Sequence, residues 1–194
     1  MKVFVPYTEI QPATLECLKP YEYTAVKMVE ETDYQRYFEQ RWAEGESFIT
    51  IEHDTAFKPG AIEELENCPE EWCAFGVTGN QEDQSTDFTS EPPTLALMKI
   101  GRGFIEKCSD MWGGLYPRQI PWKWCDSWLA WCARTNGLTC HRHYPNVVNA
   151  NPRYTVEELE GEKTVETIAG GLACVHPPTV TVESNILDED GARK

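Results

Sequence analysis

Short apolar runs alternate with amphipathic segments along the first hundred residues. Runs rich in β-branched and aromatic residues predict strands, and the segments between them carry apolar residues at helical spacing. The predicted strands are 2–6, 24–29, 47–51, 72–77 and 94–100, and the predicted helices are 12–18, 33–44, 60–67 and 103–112. Strands that alternate with helices predict an α/β fold, a Rossmann-like sheet that is mixed but mostly parallel and is flanked by helices.

The rest of the chain is less regular. A helix is predicted over 126–136 and strands over 139–144 and 147–151. The expected helix N-caps are Asp33 and Asp126, and the expected helix ends are Gly45 and Gly137. The polar stretch 78–93 is long for a connection, so we expect a mobile, functional loop. We expect one folded domain over 1–154 and an acidic C-terminal extension over 155–194 that is partly disordered.

Composition narrows the classes of function. The 194 residues include 17 Lys and Arg against 32 Asp and Glu, and the net charge of −15 disfavours a protein that coats nucleic acid and suits one that recruits a cation. No apolar run reaches the roughly 18 residues of a membrane span, and the first residues resemble a strand rather than a secretory signal. We therefore expect a cytoplasmic protein without a membrane partner.

Several common motifs are missing from the sequence. None of the eight Cys residues forms Cys-x-x-Cys, so we expect buried apolar thiols rather than a zinc ribbon, a thioredoxin-like motif or a disulfide framework. The chain also has no Gly-x-Gly-x-x-Gly and no phosphate-binding Lys loop. A Rossmann dehydrogenase and a P-loop enzyme are therefore disfavoured.

The strongest candidate for chemistry is the acidic motif Glu52-His53-Asp54, directly after the third predicted strand. Ligands of open α/β sheets bind at the carboxyl ends of strands. Side chains at i and i+2 of an extended chain point the same way, so Glu52 and Asp54 can converge on one hard cation, Mn²⁺ or Mg²⁺, that also binds a diphosphate. The alternative is a helix-capping Asp54 beside a solvated Glu52.

Two further clusters lie later in the sequence. His141 and His143 share one face of a predicted strand, where they could supply a late metal ligand or grip a phosphate oxygen; packing beneath the sheet is the alternative. Asp126 begins a helix beside aromatic residues and could accept a proton from an attacking hydroxyl, or only cap the helix. Trp122 and Trp124 could stack on a sugar or a base, or only pack in the core.

The ends of the first two predicted strands form a candidate crevice. Pro6, Tyr7 and Thr8 end the first strand, and Glu31 follows the second. If the two strands are neighbours, Tyr7 could stack on a base, and Glu31 or the backbone beside it could read the edge of that base. Ordinary exposed loop residues are the alternative.

Several segments of the sequence, taken together, match a known pattern. They are Val3-Phe4-Val5-Pro6-Tyr7, Arg41-Trp42-Ala43-Glu44-Gly45, Phe48-Ile49-Thr50-Ile51-Glu52-His53-Asp54, Pro59-Gly60-Ala61, Cys68-Pro69-Glu70-Glu71-Trp72-Cys73-Ala74-Phe75, Cys125-Asp126 and His141-x-His143-x-Pro145-x-Val147. Together they resemble a family of small nucleotide-sugar glycosyltransferases of the GT-A type, many of them encoded by actinobacteria and their phages. The resemblance runs through residues 3–150 and is most specific over 41–75.

The resemblance implies a GT-A-like catalytic domain over 1–154 that moves a sugar from a nucleoside diphosphate sugar to an acceptor hydroxyl. Glu52 and Asp54 would hold Mn²⁺ or Mg²⁺, and Asp126 would deprotonate the acceptor if the reaction inverts the anomeric centre. The third protein ligand would be His143 or His141, or else the ion binds only together with the donor. The other implied contacts are Pro6, Tyr7, Thr8, Glu31, His53 and His141 for the donor, and Trp122 and Trp124 for the acceptor. The chain departs from the pattern twice, with Glu-His-Asp instead of the commoner Asp-x-Asp and with Val147-Val148-Asn149 where such enzymes often have Val-x-His.

The acceptor and the class of protein stay open. A phage-type enzyme would glycosylate a hydroxymethylated DNA base, and basic residues could line a channel for the strand. These residues are Lys99, Arg102, Lys107, Arg118 and Lys123. The alternative class is a non-catalytic nucleotide-sugar-binding protein, which the missing late His supports. A nucleotidyltransferase is disfavoured because no Gly-rich loop follows the first strand, and we expect a monomer or a weak dimer.

Overall fold

The computed structural model describes residues 1–78, 95–112, 120, 125–150 and 180–183. Within these residues the strands are β1 (Lys2–Tyr7), β2 (Tyr23–Lys27), β3 (Phe48–Ile51), β4 (Thr55–Ala56), β5 (Trp72–Thr78), β6 (Leu97–Ile100), β7 (His141–Asn149) and β8 (Val180–Glu183). The helices are α1 (Pro12–Leu18), α2 (Asp33–Glu44), α3 (Ala61–Asn67), α4 (Arg102–Lys107) and α5 (Cys125–Thr135).

The described strands form one sheet in the order β4-β7-β5-β6-β3-β1-β2-β8. The pairs β1–β2, β1–β3, β2–β8 and β5–β7 are parallel, and the pairs β3–β6, β5–β6 and β4–β7 are antiparallel. The prediction of an α/β fold with a mixed, mostly parallel sheet flanked by helices is therefore confirmed. Strand β6 is the antiparallel insertion that joins the two parallel halves.

Side chains that alternate along the strands build two hydrophobic cores, one on each face of the sheet. Phe4, Phe48 and Met98 pack on one face with the apolar sides of α2, α4 and α5. Val5 and Ile51 pack on the other face with α1 and α3. Because both faces are covered, the strands read as nearly continuous apolar runs, which is how the sequence revealed them.

The helix ends agree with the predictions at the glycines and differ at the N-caps. Gly45 has φ 66° and Gly137 has φ 69°, so both adopt the left-handed conformation that ends a helix. Asp33 is not an N-cap, because α2 begins with Asp33 itself, and its Oδ2 accepts hydrogen bonds from the preceding Val29 and Glu30 N–H groups (2.7 and 2.8 Å). Asp126 likewise lies inside the first turn of α5 rather than before it.

Three elements differ from the sequence prediction. The separate strands predicted at 139–144 and 147–151 are one strand, β7, because β7 bulges against β5: Phe75 pairs with His143 but Val77 pairs with Val147. Pro145 lies in that bulge and therefore does not end the pairing. The predicted helix 103–112 is shorter, and the two-residue β4 was not predicted.

Much of the end of the chain lies outside the described residues. The loop predicted over 78–93 falls there apart from Thr78, and the extension predicted over 155–194 falls there apart from β8. Strand β8 was not predicted. It pairs in parallel with β2 at the edge of the sheet. The division into a domain over 1–154 and an extension stays a prediction.

Candidate functional site

The acidic motif lies at the carboxyl end of β3 and is held by its backbone from three sides. The Glu52 N–H donates to the Ala96 carbonyl (3.0 Å), the Gln11 N–H donates to the His53 carbonyl (2.8 Å), and the Ala150 N–H donates to the Asp54 carbonyl (2.5 Å). The motif is thus fixed against the residues before β6, before α1 and after β7. A rigid backbone of this kind positions side chains better than a free loop does.

Glu52 and Asp54 are the acidic residues of the motif, and a third acidic residue, Asp126, approaches Glu52 from a distant part of the sequence. Burial, together with the negative charges of Asp54 and Asp126, raises the pKa of Glu52 to about 8. Burial also raises the pKa of Asp126, against the opposing effect of the Ser127 N–H, which donates to Asp126 Oδ1 (2.7 Å). The structure therefore places Asp126 near Glu52. That these carboxylates and Asp54 form one site stays a prediction.

Tyr34, from the first turn of α2, also faces this group, and the sequence did not indicate it. Its ring is 7% exposed. Burial raises its pKa, and so do the charges of Glu52 and Asp54. The phenol therefore keeps its proton, and its hydroxyl can donate or accept a hydrogen bond beside the carboxylates. Its apolar neighbours in α2 made it look like a core residue in the sequence.

The residues present fit a hard divalent cation. Several carboxylates crowded in a partly buried place repel one another unless a cation or protons compensate them. Carboxylate oxygens are the ligands that Mg²⁺ and Mn²⁺ prefer. Asn149 stands where the resemblance expects a His, and its backbone pairs with Thr55, directly after Asp54. The residues that would hold the ion are Glu52 and Asp54.

The structure does not bring His143 to Glu52 and Asp54. Its position in β7 is paired with Phe75, so its side chain faces α3, where Nδ1 lies 2.8 Å from Glu64 Oε1. His141, two residues earlier, faces the same way, and its Nδ1 lies 3.2 Å from Cys68 Sγ. Both imidazoles share one face of the strand, as the alternation predicted, but that face lies opposite the layer of α2 and α5 that encloses the carboxylates.

The crevice predicted between β1 and β2 has the expected neighbours. The two strands are parallel, with Pro6 opposite Val26 and Tyr7 opposite Lys27, so their carboxyl ends meet at one edge. Pro6 is buried, Tyr7 is half-buried, and Thr8 and Glu31 are exposed. Because β3 is the parallel neighbour of β1 on its other side, the crevice and the acidic motif lie at the same edge of the sheet.

His53 adds a polar atom to this edge. Its Nδ1 is buried, and no described residue makes a hydrogen bond to it. Buried polar groups of proteins are nearly always paired, so a nitrogen of this kind is available to a bound molecule or to water. The position agrees with the predicted role of His53 in binding the donor, which stays a prediction.

The predicted acceptor contacts cannot be placed, because Trp122 and Trp124 lie outside the described residues. The predicted role of one basic residue, Lys99, has to be corrected. Lys99 is not available to line a channel, because it is 7% exposed and its Nζ donates to the Cys68 carbonyl. Arg102 is exposed, and its Nε lies 2.7 Å from Glu106 Oε1. A strand channel built on these two residues is therefore not supported.

Comparisons with known proteins give only distant likenesses. No protein-family model matches the chain, and no curated protein matches it. One similar solved structure is that of A197 from STIV, with a TM-score of 0.49, 10% identity, and coverage of 76% of this chain and 83% of that chain. Another is a glycosyltransferase involved in the glycosylation of the major capsid of PBCV-1, with a TM-score of 0.43, 14% identity, and coverage of 74% and 82%. Function is therefore argued from the site.

No helix among the described residues is both long enough and apolar enough to cross a membrane.

Proposed function

We propose that this chain is a metal-dependent glycosyltransferase that moves a sugar from a nucleoside diphosphate sugar to an acceptor hydroxyl. One observation carries the proposal: Glu52, Asp54 and Asp126 come together at the carboxyl end of β3, although Asp126 belongs to a helix far along the sequence. This edge is where open α/β sheets bind ligands. The sequence resemblance to GT-A-type enzymes supports the same reaction.

Glu52 and Asp54 would hold Mn²⁺ or Mg²⁺ together with the diphosphate of the donor. When bound, such an ion neutralises the charge that grows on the diphosphate leaving group. Because the pKa of Glu52 is raised to about 8, this carboxyl is protonated at neutral pH in the metal-free protein and loses its proton to bind the cation. The nearby Tyr34 hydroxyl can donate a hydrogen bond to a carboxylate or to a phosphate oxygen.

The nucleoside would lie in the crevice between the ends of β1 and β2. Tyr7 presents an aromatic face for a base, and Thr8 and Glu31 present polar groups for its edge or for the ribose. Pro6 shapes the floor of the crevice from inside the strand. His53, whose buried Nδ1 has no hydrogen-bond partner among the described residues, would bind the part of the donor that reaches between the crevice and the acidic motif.

Asp126 would act as the general base on the acceptor hydroxyl. The Ser127 N–H holds its Oδ1, which fixes the orientation of the carboxylate. Its raised pKa makes it a stronger base than an exposed Asp, and it lies beside the metal-binding carboxylates, where the anomeric carbon of a bound donor would be. A hydroxymethylated base of DNA is one acceptor class for this role.

A donor-binding experiment tests the proposal. Thermal unfolding of the full chain is measured with UDP-, GDP-, ADP- and dTDP-sugars, each with and without Mn²⁺, and release of nucleoside diphosphate is measured by mass spectrometry. We expect one nucleotide sugar to raise the melting temperature only with Mn²⁺, because a molecule that binds the native state stabilises it. Asp54→Asn should abolish that rise, and the matched change Glu22→Gln, at an exposed site before β2, should not.

The outcomes separate the competing functions. Metal-dependent binding followed by nucleotide release, above all with DNA that contains 5-hydroxymethylated bases, supports the transferase. Metal-dependent binding with no release from any donor, with water or with acceptor, would instead establish the non-catalytic nucleotide-sugar-binding protein. A complete absence of binding, or binding that Asp54→Asn leaves unchanged, contradicts the proposed site.

A further inference from the structure

Two thiols and an imidazole lie together on the face of the sheet opposite the carboxylates. Cys68 ends α3, Cys73 lies in β5, and His143 lies in β7. One ligand atom from each, two sulfurs and a ring nitrogen, lies within 4.8 Å of the other two. All three residues are buried, at 7%, 0% and 8% exposed. The cluster therefore joins three separate elements inside the protein.

The imidazole is oriented as in a metal-binding histidine. Its Nδ1 lies 2.8 Å from Glu64 Oε1, and Lys58 Nζ lies 3.0 Å from the other oxygen of the same carboxylate. With Nδ1 directed to Glu64, the ring nitrogen of His143 that is left for another partner is Nε2.

Nε2 has no other partner within the described part of the chain. Nε2 of His143 is buried, and no described residue makes a hydrogen bond to it. A buried nitrogen without a partner costs free energy, and proteins rarely leave one so. A carboxylate that holds one nitrogen of a His and leaves the other nitrogen for the ion is the usual arrangement around a bound metal.

A buried lysine lies beside the two cysteines. Lys99 is 7% exposed and donates from Nζ to the Cys68 carbonyl. Burial and the neighbouring Cys68 raise the pKa of the Cys73 thiol well above its usual range, and the charge of Lys99 opposes this only in part. The charge of two thiolates in this place would be balanced by one divalent cation, so loss of the thiol protons is expected only together with metal binding.

We propose that Cys68 Sγ, Cys73 Sγ and His143 Nε2 bind a zinc ion. Sulfur and imidazole nitrogen are the ligands of zinc in proteins, and around a tetrahedral ion they stand roughly 3.5–4 Å apart, which the cluster permits. His141 is the neighbouring candidate for the fourth position, because its Nδ1 lies 3.2 Å from Cys68 Sγ. Binding releases the two thiol protons and ties the end of α3 to β5 and β7. This site is separate from the proposed Mn²⁺ or Mg²⁺ site in position and in ligand chemistry.

Cobalt titration of the reduced full chain tests the site. The protein is freed of metal with a chelator and titrated with Co²⁺ alone, whose bonds to thiolates give a charge-transfer absorption. We expect one equivalent of Co²⁺ to produce this absorption and one equivalent of Zn²⁺ to remove it. Cys73→Ser and His143→Gln should each weaken or abolish it, and Glu64→Gln should weaken Co²⁺ affinity about 10–100-fold by freeing the imidazole.

Controls distinguish this site from other thiols and from the acidic motif. Cys17→Ser changes another buried thiol on the same face of the sheet and should leave the cobalt spectrum unchanged. Asp54→Asn should also leave it unchanged, so failure of the zinc site and failure of the transferase are read separately. The native chain without a thiolate–cobalt absorption, a Cys68–Cys73 disulfide in the freshly purified protein, or an unaltered spectrum in Cys73→Ser and His143→Gln would overturn the proposal.

Discussion

Asp126, in the first turn of α5, lies close enough to Glu52, at the end of β3, for its negative charge to raise the pKa of that carboxyl. The two residues come from different layers, a strand and the helix packed over it. Pairs of carboxyls whose environments separate their pKa values are how proteins assign different proton-transfer roles to chemically similar groups. Here Glu52 has the properties of a ligand that must lose a proton, and Asp126 has those of a base.

The metal-free protein should lose stability as the pH rises from about 5 to about 8. The pKa of Glu52 is about 8 in the folded protein and 4.5 in the reference state, so between these values the folded chain binds more protons than the unfolded chain. The free energy of unfolding then falls with rising pH, by about 1.4 kcal/mol for each pKa unit and by a few kcal/mol in total. Urea unfolding at a series of pH values in the presence of a chelator measures this.

Two comparisons isolate the contribution of Glu52. Glu52→Gln cannot ionise, so its free energy of unfolding should stay nearly constant where that of the native chain falls. Added Mn²⁺ should also remove the fall, because a bound cation favours the ionised carboxylate. Equal pH profiles for the native chain and Glu52→Gln would show that Glu52 ionises normally and is not crowded by Asp54 and Asp126.

Asp126→Asn should slow transfer without weakening donor binding. The amide keeps the size of the side chain but cannot accept the acceptor's proton, and general-base catalysis contributes about 10²–10⁴-fold. We expect kcat to fall by at least about 100-fold while the Kd for the nucleotide sugar with Mn²⁺ changes little. Steady-state kinetics and calorimetry measure the two quantities, and a parallel loss of binding would assign Asp126 to the metal or the donor instead.

The sheet could be predicted because both of its faces are covered. Buried strands are continuous apolar runs, and α1 and α2 have the predicted bounds, 12–18 and 33–44. Strand β8 was missed because it is short, lies in an acidic segment and is the last strand of the described sheet, next to β2. The order of strands could not be predicted either, since the antiparallel β6 lies between β3 and β5 and no local pattern encodes that neighbour.

The candidate site was predictable in part for the same reason. Glu52 and Asp54 could be found because an acidic pair directly after an apolar strand is a local signal. The position of His143 could not be predicted, because alternation shows which residues share a face of β7 but not on which side of the sheet that face lies. The sequence did not indicate Cys68 and Cys73 as a pair, because their spacing is not that of a zinc ribbon. The third proposed ligand, His143, comes from a distant strand.

Arg41→Ala should destabilise the protein by about 1–3 kcal/mol, because it removes a buried side chain that packs on Phe4 and pairs with the partly exposed Glu44. Arg41 is 2% exposed, its guanidinium carbon lies 4.0 Å from the centre of the Phe4 ring, and Nη2 lies 3.1 Å from Glu44 Oε1. The side chain thus joins α2 to β1. Urea unfolding at constant pH measures the loss.

The matched control for Arg41 is another arginine of α2. Arg36 pairs with Glu30 and Asp33 at the surface, and its side chain is 43% exposed. Arg36→Ala should change the free energy of unfolding by no more than about 1 kcal/mol. Arg41→Met should fall between the two, because it fills the volume beside Phe4 without the charge. Equal effects of the Arg36 and Arg41 changes to Ala would show that burial of the guanidinium contributes nothing.

The two proposed metal sites should act independently, because the sheet separates them. Cys73 faces α3 and the carboxylates face α2 and α5, so neither set of ligands shares a residue with the other. Zn²⁺ should raise the melting temperature of the native chain and of Asp54→Asn by the same amount, and that of Cys73→Ser hardly at all. Mn²⁺ with the nucleotide sugar should raise the melting temperature of the native chain and of Cys73→Ser by the same amount, and that of Asp54→Asn hardly at all. In the double variant that carries both changes, the two losses of stabilisation by ligand should add to within about 0.5 kcal/mol, as for distant sites. A larger coupling would mean that β5 and β7 transmit the state of the zinc site to Asn149, which lies in β7 and pairs with Thr55 beside the acidic motif.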